Sequence, residues 1–368
     1  MTNYQHWHGI DDTRYGYGRH TRGFVDNAPK TVKFDPKASV NLWMCVPWMN
    51  KGWFKGQYRA CFTMYETDKL PRRFEQYLPL YDLIVVPCEH NLELFSKYHK
   101  NVVKVQEGVD STLFKPTDTP RLERFQFRAG GSLWLRKGLD VVVEAFLRLS
   151  LPDADLRIKA APHAHDTPYF SPGPNIYLDR QWMTEAEQVE WFAQADCFVA
   201  ASRGEGWGLM PLQTMAMGIP TILSLSTGHL EFSDLATGTV TCGKSPSTLC
   251  GQWDEPNVDD LAEQMLDHYR NWQAKKTQAL AAVPTIRTKF SWKKAAKQLA
   301  DALPLGEMLT KPVWQESTVG IKVRALRNVK ADIGKHEYRQ KAGDIFEVTD
   351  GAYEVLSDAG MVEYVHDD

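Results

Sequence analysis

SRGEGWGLMPLQTMAMGIPTILS, residues 202–224, decides how the rest of the chain is read. It sets one carboxylate, Glu205, among Gly204, Gly206 and Gly208, after an apolar run (DCFVAAS, 196–202) and before a stretch with helical spacing (LMPLQTMAM). Gly-Ile-Pro then stops the helix, and PTILSLS (220–226) opens another strand. The unit is strand, glycine-rich turn, helix, strand, and ligands of open α/β sheets bind at the carboxyl ends of such strands. A helix amino terminus offers unpaired N–H groups and a partial positive charge, and glycines let an anion come close. A diphosphate suits that turn. A fixed carboxylate would repel phosphate, so Glu205 is aimed at hydroxyl groups beyond it, as a sugar would present. On spacing alone, a turn that is merely tight accounts for the glycines equally well.

Outward from this turn, β-branched apolar runs recur at VNLWMCV (40–46), DLIVVPC (82–88), NVVKVQEGV (101–109) and LRIKAA (156–161). Helically spaced segments alternate with them: RRFEQYLPLY, EHNLELFSKYH, GLDVVVEAFLRL and TEAEQVEWFAQA, the last with a capping box starting at Thr184. Strands alternating with helices predict parallel sheets covered on both faces. The polar link FKPTDTPRLER (114–124) divides the pattern in two. We therefore expect an α/β chain of two Rossmann-like domains facing a cleft, residues 1–117 and 118–311, followed by a small β-rich module at 312–368. That module is read from IKVRALRNV, DIFEVT and MVEYV with turns at DIGKH and KAGD.

The composition, 43% hydrophobic and 24% charged over 368 residues, is that of a globular chain able to bury two cores. A net charge of -3 makes no global demand for nucleic acid or an anionic membrane. Six cysteines without a C-x-x-C pair read as reduced core residues, and no window is long and apolar enough to span a bilayer, so a cytoplasmic protein is expected. Asp153-Ala154-Asp155 reads as a solvated turn rather than a metal motif, and His163 and His165 as a loop pair lacking a third ligand.

SRGEGWGLMPLQTMAMGIPTILSLSTGHLEF resembles the donor-binding signature of the retaining, GT-B-fold glycosyltransferases of family 4, S-x-x-E-G-F-G followed by E-A-M-A-x-G-x-P-V-I. RKGLDVVVEAF (136–146), FTMYETDKLP (62–71), VVPCEHNLELF (85–95), EGVDSTLFKP (107–116), QWDEPNVDDLAEQM and FSW are similar to other segments of that family, in the same order. The resemblance implies transfer of a sugar from a nucleotide-diphosphate sugar, with a UDP-sugar favoured, to an acceptor hydroxyl with retention and without a required metal or cofactor. By the same resemblance Glu205 faces the donor sugar, Lys137 neutralises the diphosphate, and Gln213 stands where an acidic residue binds the ribose. Glutamine keeps one carbonyl acceptor there and loses the charge. The family's second phosphate-binding cation, an arginine, falls at Gly131 here; Arg136 and Arg128 are its candidate replacements. Arg136, Gly206, Trp207, Gly208 and Leu209 complete the implied donor set.

GYGRHTRGF (16–24) resembles the family's glycine-rich loop, which makes Gly16, Tyr17, Gly18 and Arg19 expected donor contacts, and Glu66 and Thr67 are expected on the acceptor side. In the tail, Lys322, Arg324, Arg327, Lys330, Lys335, Arg339 and Lys341 interleave with Tyr338 and Phe346, a pattern similar to small β modules of tailed-phage proteins. That likeness implies a phage enzyme modifying hydroxymethylated bases in DNA; a glycan, lipid-linked sugar or small metabolite stays open as acceptor. The departures at Gln213 and Gly131 also leave open a degenerate, non-catalytic nucleotide-sugar-binding protein.

Overall fold

The computed structural model describes residues 3–131, 135–160, 173–316, 320–326, 328–333, 336–349, 356 and 361–364. His163, His165, Arg327 and Lys335, and the side chains of Lys322 and Arg324, lie outside what is described. The chain divides into two compact units, residues 1–49 with 56–310, and residues 50–55 with 311–368.

The first unit holds two six-stranded parallel sheets. The amino-terminal one is built from β1 (Asn3–Gly9), β2 (Val32–Phe34), β3 (Val40–Met44), β5 (Tyr58–Phe62), β6 (Leu83–Val86) and β7 (Val102–Lys104), in the order β2-β1-β3-β5-β6-β7. β4 (Gly52–Phe54) leaves that sheet and belongs to the second unit. The helices are α1 (Gly16–Asp26), α2 (Arg72–Tyr77) and α3 (Glu89–Ser96). β3 and β6 are buried at every position, which is why they read as continuous apolar runs. β1 escapes such a reading because its buried face carries polar Asn3 and Gln5 before Trp7. Gln5 is satisfied internally, donating to Asn3 Oδ1 at 3.1 Å and accepting from Trp7 Nε1 at 2.6 Å.

Residues 16–24, expected as a glycine-rich loop, form the first turns of α1 instead. Gly18 is needed there for close packing. A Cβ at Gly18 would sit 2.0 Å from the carbonyl oxygen of Asp12, whose loop crosses the helix.

The second sheet comprises β8 (Phe125–Gly130), β9 (Ala154–Ala160), β10 (Ile176–Arg180), β11 (Cys197–Ala200), β12 (Thr221–Ser224) and β13 (Gly238–Val240), ordered β10-β9-β8-β11-β12-β13. Its helices include α4 (Leu139–Leu149), α5 (Glu185–Ala193) and α6 (Leu209–Ala216). The capping box is formed: Thr184 Oγ1 accepts from the Glu187 amide at 3.2 Å, and Glu187 Oε2 accepts from the Thr184 amide at 2.8 Å. Asp155 does not lie in a solvated turn. It belongs to β9 and is buried, accepting from Arg124 Nε at 2.8 Å, while Asp153 takes the Tyr269 hydroxyl. Cys45, Cys61, Cys88 and Cys197 are free and buried, as core residues.

A hairpin of β14 (Cys242–Pro246) and β15 (Gln252–Pro256) precedes α7 (Val258–Arg270), α8 (Trp272–Lys289) and α9 (Trp292–Ala302). α9 returns to the amino-terminal sheet. Its Trp292, Ala295, Ala296 and Leu299 share one core with Trp7, Phe24, Leu42 and Phe62.

In the second unit β16 (Trp314–Glu316) pairs antiparallel with β4. β17 (Gly320–Ala325) lies between β20 (Ile345–Thr349) and β21 (Val362–Tyr364), and β18 (Val329–Ile333) pairs with β19 (His336–Gln340). Ala325, Val329, Tyr338, Val348, Leu356 and Val362 form its small core.

Candidate active site

In the second sheet the strand order reverses between β8 and β11, and an open α/β sheet offers its crevice at that point. The chain leaves β11 into Ser202–Gly208 and enters α6 through Gly208, whose φ of +113° is a left-handed conformation that favours glycine. Gly204 and Gly206 answer a different need. A Cβ at Gly204 would lie 2.0 Å from the Glu66 carbonyl oxygen, and one at Gly206 would lie 2.2 Å from Met64 Sδ. These two glycines let the turn meet the loop that follows β5.

Glu205 is buried at the centre of this junction. Its Oε1 accepts from Lys137 Nζ at 2.5 Å and from Ser202 Oγ at 2.7 Å, and its Oε2 lies 3.4 Å from Arg136 Nη1. Thr227 Oγ1 accepts its backbone N–H at 2.7 Å. Arg136 also donates to the Gly204 carbonyl at 2.8 Å and lies 3.3 Å from Glu66 Oε1. Burial alone would raise the Glu205 carboxyl pKa, but the fields of Lys137 and Arg136 outweigh it and hold the group well below the usual carboxylate range. Burial lowers Lys137, with Glu205 acting against that shift, and it lowers His229 beneath the turn to about 4. Glu205 is thus a fixed anion in a nearly dry setting.

The cluster opens on a cavity of about 380 Å³ between the carboxyl ends of the two sheets. Gly16, Tyr17 and Arg19 of α1 line it, with Glu66, Arg136, Lys137, Glu205, Gly206, Trp207, Gly208 and Leu209. Three expected contacts lie off this lining. Gly18 packs under the Asp12 loop. Thr67 is buried and donates to the Lys69 carbonyl at 2.9 Å. Gln213 is buried, with its Oε1 accepting from Gln188 Nε2 at 2.8 Å, so the carbonyl expected to meet a ribose is engaged within the protein.

Gly131 stands where the resemblance places an arginine. A Cβ at Gly131 would lie 2.3 Å from Lys137 Cγ, so glycine leaves room for the lysine stem. Arg128 points away from the cavity, donating to the Trp191 carbonyl and, at 2.8 Å, to Gln194 Oε1. Arg136, in contrast, lines the cavity.

Sequence reading missed Lys159, Trp182 and Gln188, which line the cavity from the second sheet, and His20 with Glu107 from the first. His20 Nδ1 and Glu107 Oε1 are 3.0 Å apart and both side chains are buried. Lys159 carried a signal, a charged residue at the carboxyl end of an apolar strand; Glu107 stood inside the quoted EGVD segment. Among the described residues no group of three His, Cys, Asp or Glu side chains is arranged to hold a metal ion. None of the described helices is long and apolar enough to cross a membrane.

Comparison with known proteins gives this geometry relatives. Residues 129–271 match the family of glycosyl transferases group 1. D-inositol 3-phosphate glycosyltransferase of Paenarthrobacter aurescens (strain TC1) is 26% identical over 227 residues, 55% of this chain and 52% of that protein. The chain therefore spans about half the length of that relative. Among solved structures, a glycosyltransferase from Rickettsia africae ESF-5 superposes with a TM-score of 0.54 at 15% identity, over 79% of this chain and 82% of that one. TarM of S. aureus, solved with UDP, α-GlcNAc-glycerol and fondaparinux, gives 0.55 at 12% identity, over 72% and 55%. Residues 129–271 are thus similar to the glycosyl transferases group 1 family, and the two Rossmann-like sheets that enclose the cavity are a GT-B fold.

Proposed function

We propose that the protein transfers a sugar from a nucleotide-diphosphate sugar to an acceptor hydroxyl, with retention at the anomeric carbon. The observation that carries this reading is Glu205, held ionised by Lys137 and Arg136 on the turn into α6, facing a cavity of nucleotide-sugar size at the strand switch point. In this reading the carboxyl-terminal sheet domain, 118–311, holds the donor and the amino-terminal one, 1–117, receives the acceptor. Glu205 accepts hydrogen bonds from donor sugar hydroxyls, and a charged acceptor strengthens them. Lys137, Arg136 and the amino-terminal turn of α6 stabilise charge building on the leaving diphosphate as the glycosidic bond breaks. The departing phosphate oxygen takes the acceptor proton, so no protein nucleophile is needed. Tyr17 and Glu66 approach from the first sheet and confine the reacting groups.

A UDP-sugar is the proposed donor, which the UDP-bound TarM structure supports by fold alone. A sugar or polyol hydroxyl is the proposed acceptor, in keeping with the name of the inositol-phosphate relative. The DNA acceptor rests on the tail alone, where Lys330, Arg339 and Lys341 are exposed but Tyr338 is buried in the module core, leaving it no face on which a base can stack. Hydrolysis of UDP-sugars without acceptor tests the reading. Wild-type protein should release UDP slowly, and Glu205→Gln should lower that rate at least about a hundredfold while melting within a few degrees of wild type. Undiminished release from Glu205→Gln would remove Glu205 from the mechanism. An acceptor screen including polyol phosphates and hydroxymethylated DNA, read by anomeric NMR, tests acceptor and retention together.

A further inference from the structure

Two residues before Glu205, Arg203 is buried and lies off the cavity lining. A guanidinium has five N–H donors in a fixed planar fork, and here the fold fills all of them. Nε donates to Glu255 Oε2 at 2.7 Å and Nη2 to Glu255 Oε1 at 2.6 Å, one bidentate pair. Nη1 and Nη2 donate to Asp140 Oδ1 and Oδ2, each at 2.8 Å, and make a second. The remaining donor, on Nη1, goes to the Leu135 carbonyl at 2.5 Å. Burial works against the Arg203 charge, but the bonds to Asp140 and Glu255 outweigh burial and hold its pKa above the ordinary value.

Leu135 and Asp140 flank Arg136 and Lys137 in the chain, so one side chain grips that segment on both sides of its two cations. The backbone adds to the grip, because the Arg203 N–H donates to the Arg136 carbonyl at 2.7 Å. Gly138, with a φ of +61°, brings the segment so close that a Cβ there would lie 1.8 Å from the Ala201 carbonyl oxygen. Arg136 and Lys137 thus reach Glu205 from a segment fastened to the residue two before it.

Glu255 belongs to β15, and the hairpin of β14 and β15 is fastened elsewhere to the loop that follows β5. The Asp68 N–H donates to the Gln252 carbonyl at 3.0 Å, and Asp68 Oδ1 accepts the Gln252 N–H at 2.7 Å. Asp68 stands two residues after Glu66, whose Oε1 is 3.3 Å from Arg136 Nη1. Nearer Arg203, the Asp254 N–H donates to the Arg203 carbonyl at 2.9 Å, and Ser245 Oγ donates to Glu255 Oε2 at 2.8 Å. The hairpin therefore ties the Glu66 loop to the base of the Glu205 turn.

We propose that Arg203 is a positioning residue for sugar transfer and that the β14–β15 hairpin is its brace, the two together setting the distances among Glu66, Arg136, Lys137 and Glu205 from outside the cavity. The role rests on the function proposed above, because those distances matter to turnover only where the cluster acts on a donor. Arg203 touches no reacting atom. It acts through placement, and a shift of about 1 Å in such a cluster costs on the order of a hundredfold in rate.

Release of UDP from UDP-glucose and UDP-N-acetylglucosamine by the full chain, with Arg203→Lys and Glu255→Gln, tests the brace. Lysine keeps the charge and loses the fork, so Arg203→Lys should lower kcat roughly tenfold to a hundredfold with KM within about threefold. Glu255, whose side chain is 35% exposed, allows a milder change. Glu255→Gln keeps the volume and should lower kcat about threefold to tenfold while its urea midpoint stays near wild type. In a Lys137→Gln background the loss caused by Arg203→Lys should largely disappear, since the two residues act as a unit. Full kcat in the folded variants, or a loss undiminished beside Lys137→Gln, would overturn the positioning role. Hydrogen exchange reads the brace without turnover: amides of residues 136–140 should exchange roughly tenfold faster in both variants, and unchanged exchange would overturn the brace. Wild-type protein that releases UDP from neither sugar nucleotide would overturn the donor reading and the role in transfer with it, whereas faster exchange in the variants would keep the brace.

Discussion

At Glu205 one carboxylate takes Lys137 Nζ at 2.5 Å and Ser202 Oγ at 2.7 Å while Arg136 stands at its second oxygen. Its place in a glycine-rich turn pointed to a role at a ligand, yet two of the three glycines prove to be contacts with the Met64–Glu66 loop, which no local pattern reveals. Gly131 makes the same point. In sequence it reads as a missing arginine; in space it is the room that lets Lys137 reach Glu205. Restoring arginine should therefore harm the protein: Gly131→Arg is expected to push Lys137 off Glu205 and lower donor turnover roughly tenfold or more, by loss of a charge-assisted hydrogen bond. Steady-state kinetics on the folded variant would check this, and a gain in turnover would contradict it. Gln213 reads as a helix residue in the sequence, but only the fold shows Gln188 holding its carbonyl.

At the scale of elements, legibility followed how much of the signal is local. α5 was readable because a capping box lies within four consecutive residues, and β3 and β6 because burial on both faces leaves an unbroken apolar run. β1 was hidden by Asn3 and Gln5, whose partners at Pro304 and Gly306 lie some three hundred residues away. The resemblance of residues 16–24 to a glycine-rich loop hides α1, where Gly18 answers to the Asp12 carbonyl. Helix propensity favours alanine over glycine by about 1 kcal/mol, so a freely exposed site would gain from the change. Gly18→Ala should instead destabilise by roughly 2 kcal/mol or more, because the added methyl meets backbone that cannot move aside cheaply. Urea unfolding would decide between these signs, and a stabilised variant would refute the packing assigned to Gly18.

For the whole molecule, the cleft is built by chain that crosses between sheets. α9 follows the second sheet in sequence and completes the core of the first, so the two sheets of the first unit share one carboxyl-terminal segment. The insertion of β4 into the second unit was equally illegible, since a three-residue strand has no period to read and its partner β16 lies in the tail. Burial of ionisable groups across the first unit also predicts a pH response. His229 and His268 are lowered from 6.5 to about 4, chiefly by burial. The unfolded chain therefore binds more protons than the native one between those values, and stability falls as pH drops from about 6.5 towards 4. Denaturant midpoints should show that loss, on the order of 1–3 kcal/mol per histidine across the window. His268→Gln should flatten it, and a slope unchanged by that substitution would place the cause elsewhere.

The measurement that bears most directly on the central claim is a thermal melt of the wild-type protein with UDP, GDP, ADP and their sugar conjugates at saturating concentration. A ligand binding only the native state raises its stability, by about 2.7 kcal/mol at a hundred times its dissociation constant. The account predicts that one nucleoside family raises the melting temperature by several degrees. No rise with any of them at millimolar concentration would contradict the donor site built around Glu205, Lys137 and Arg136.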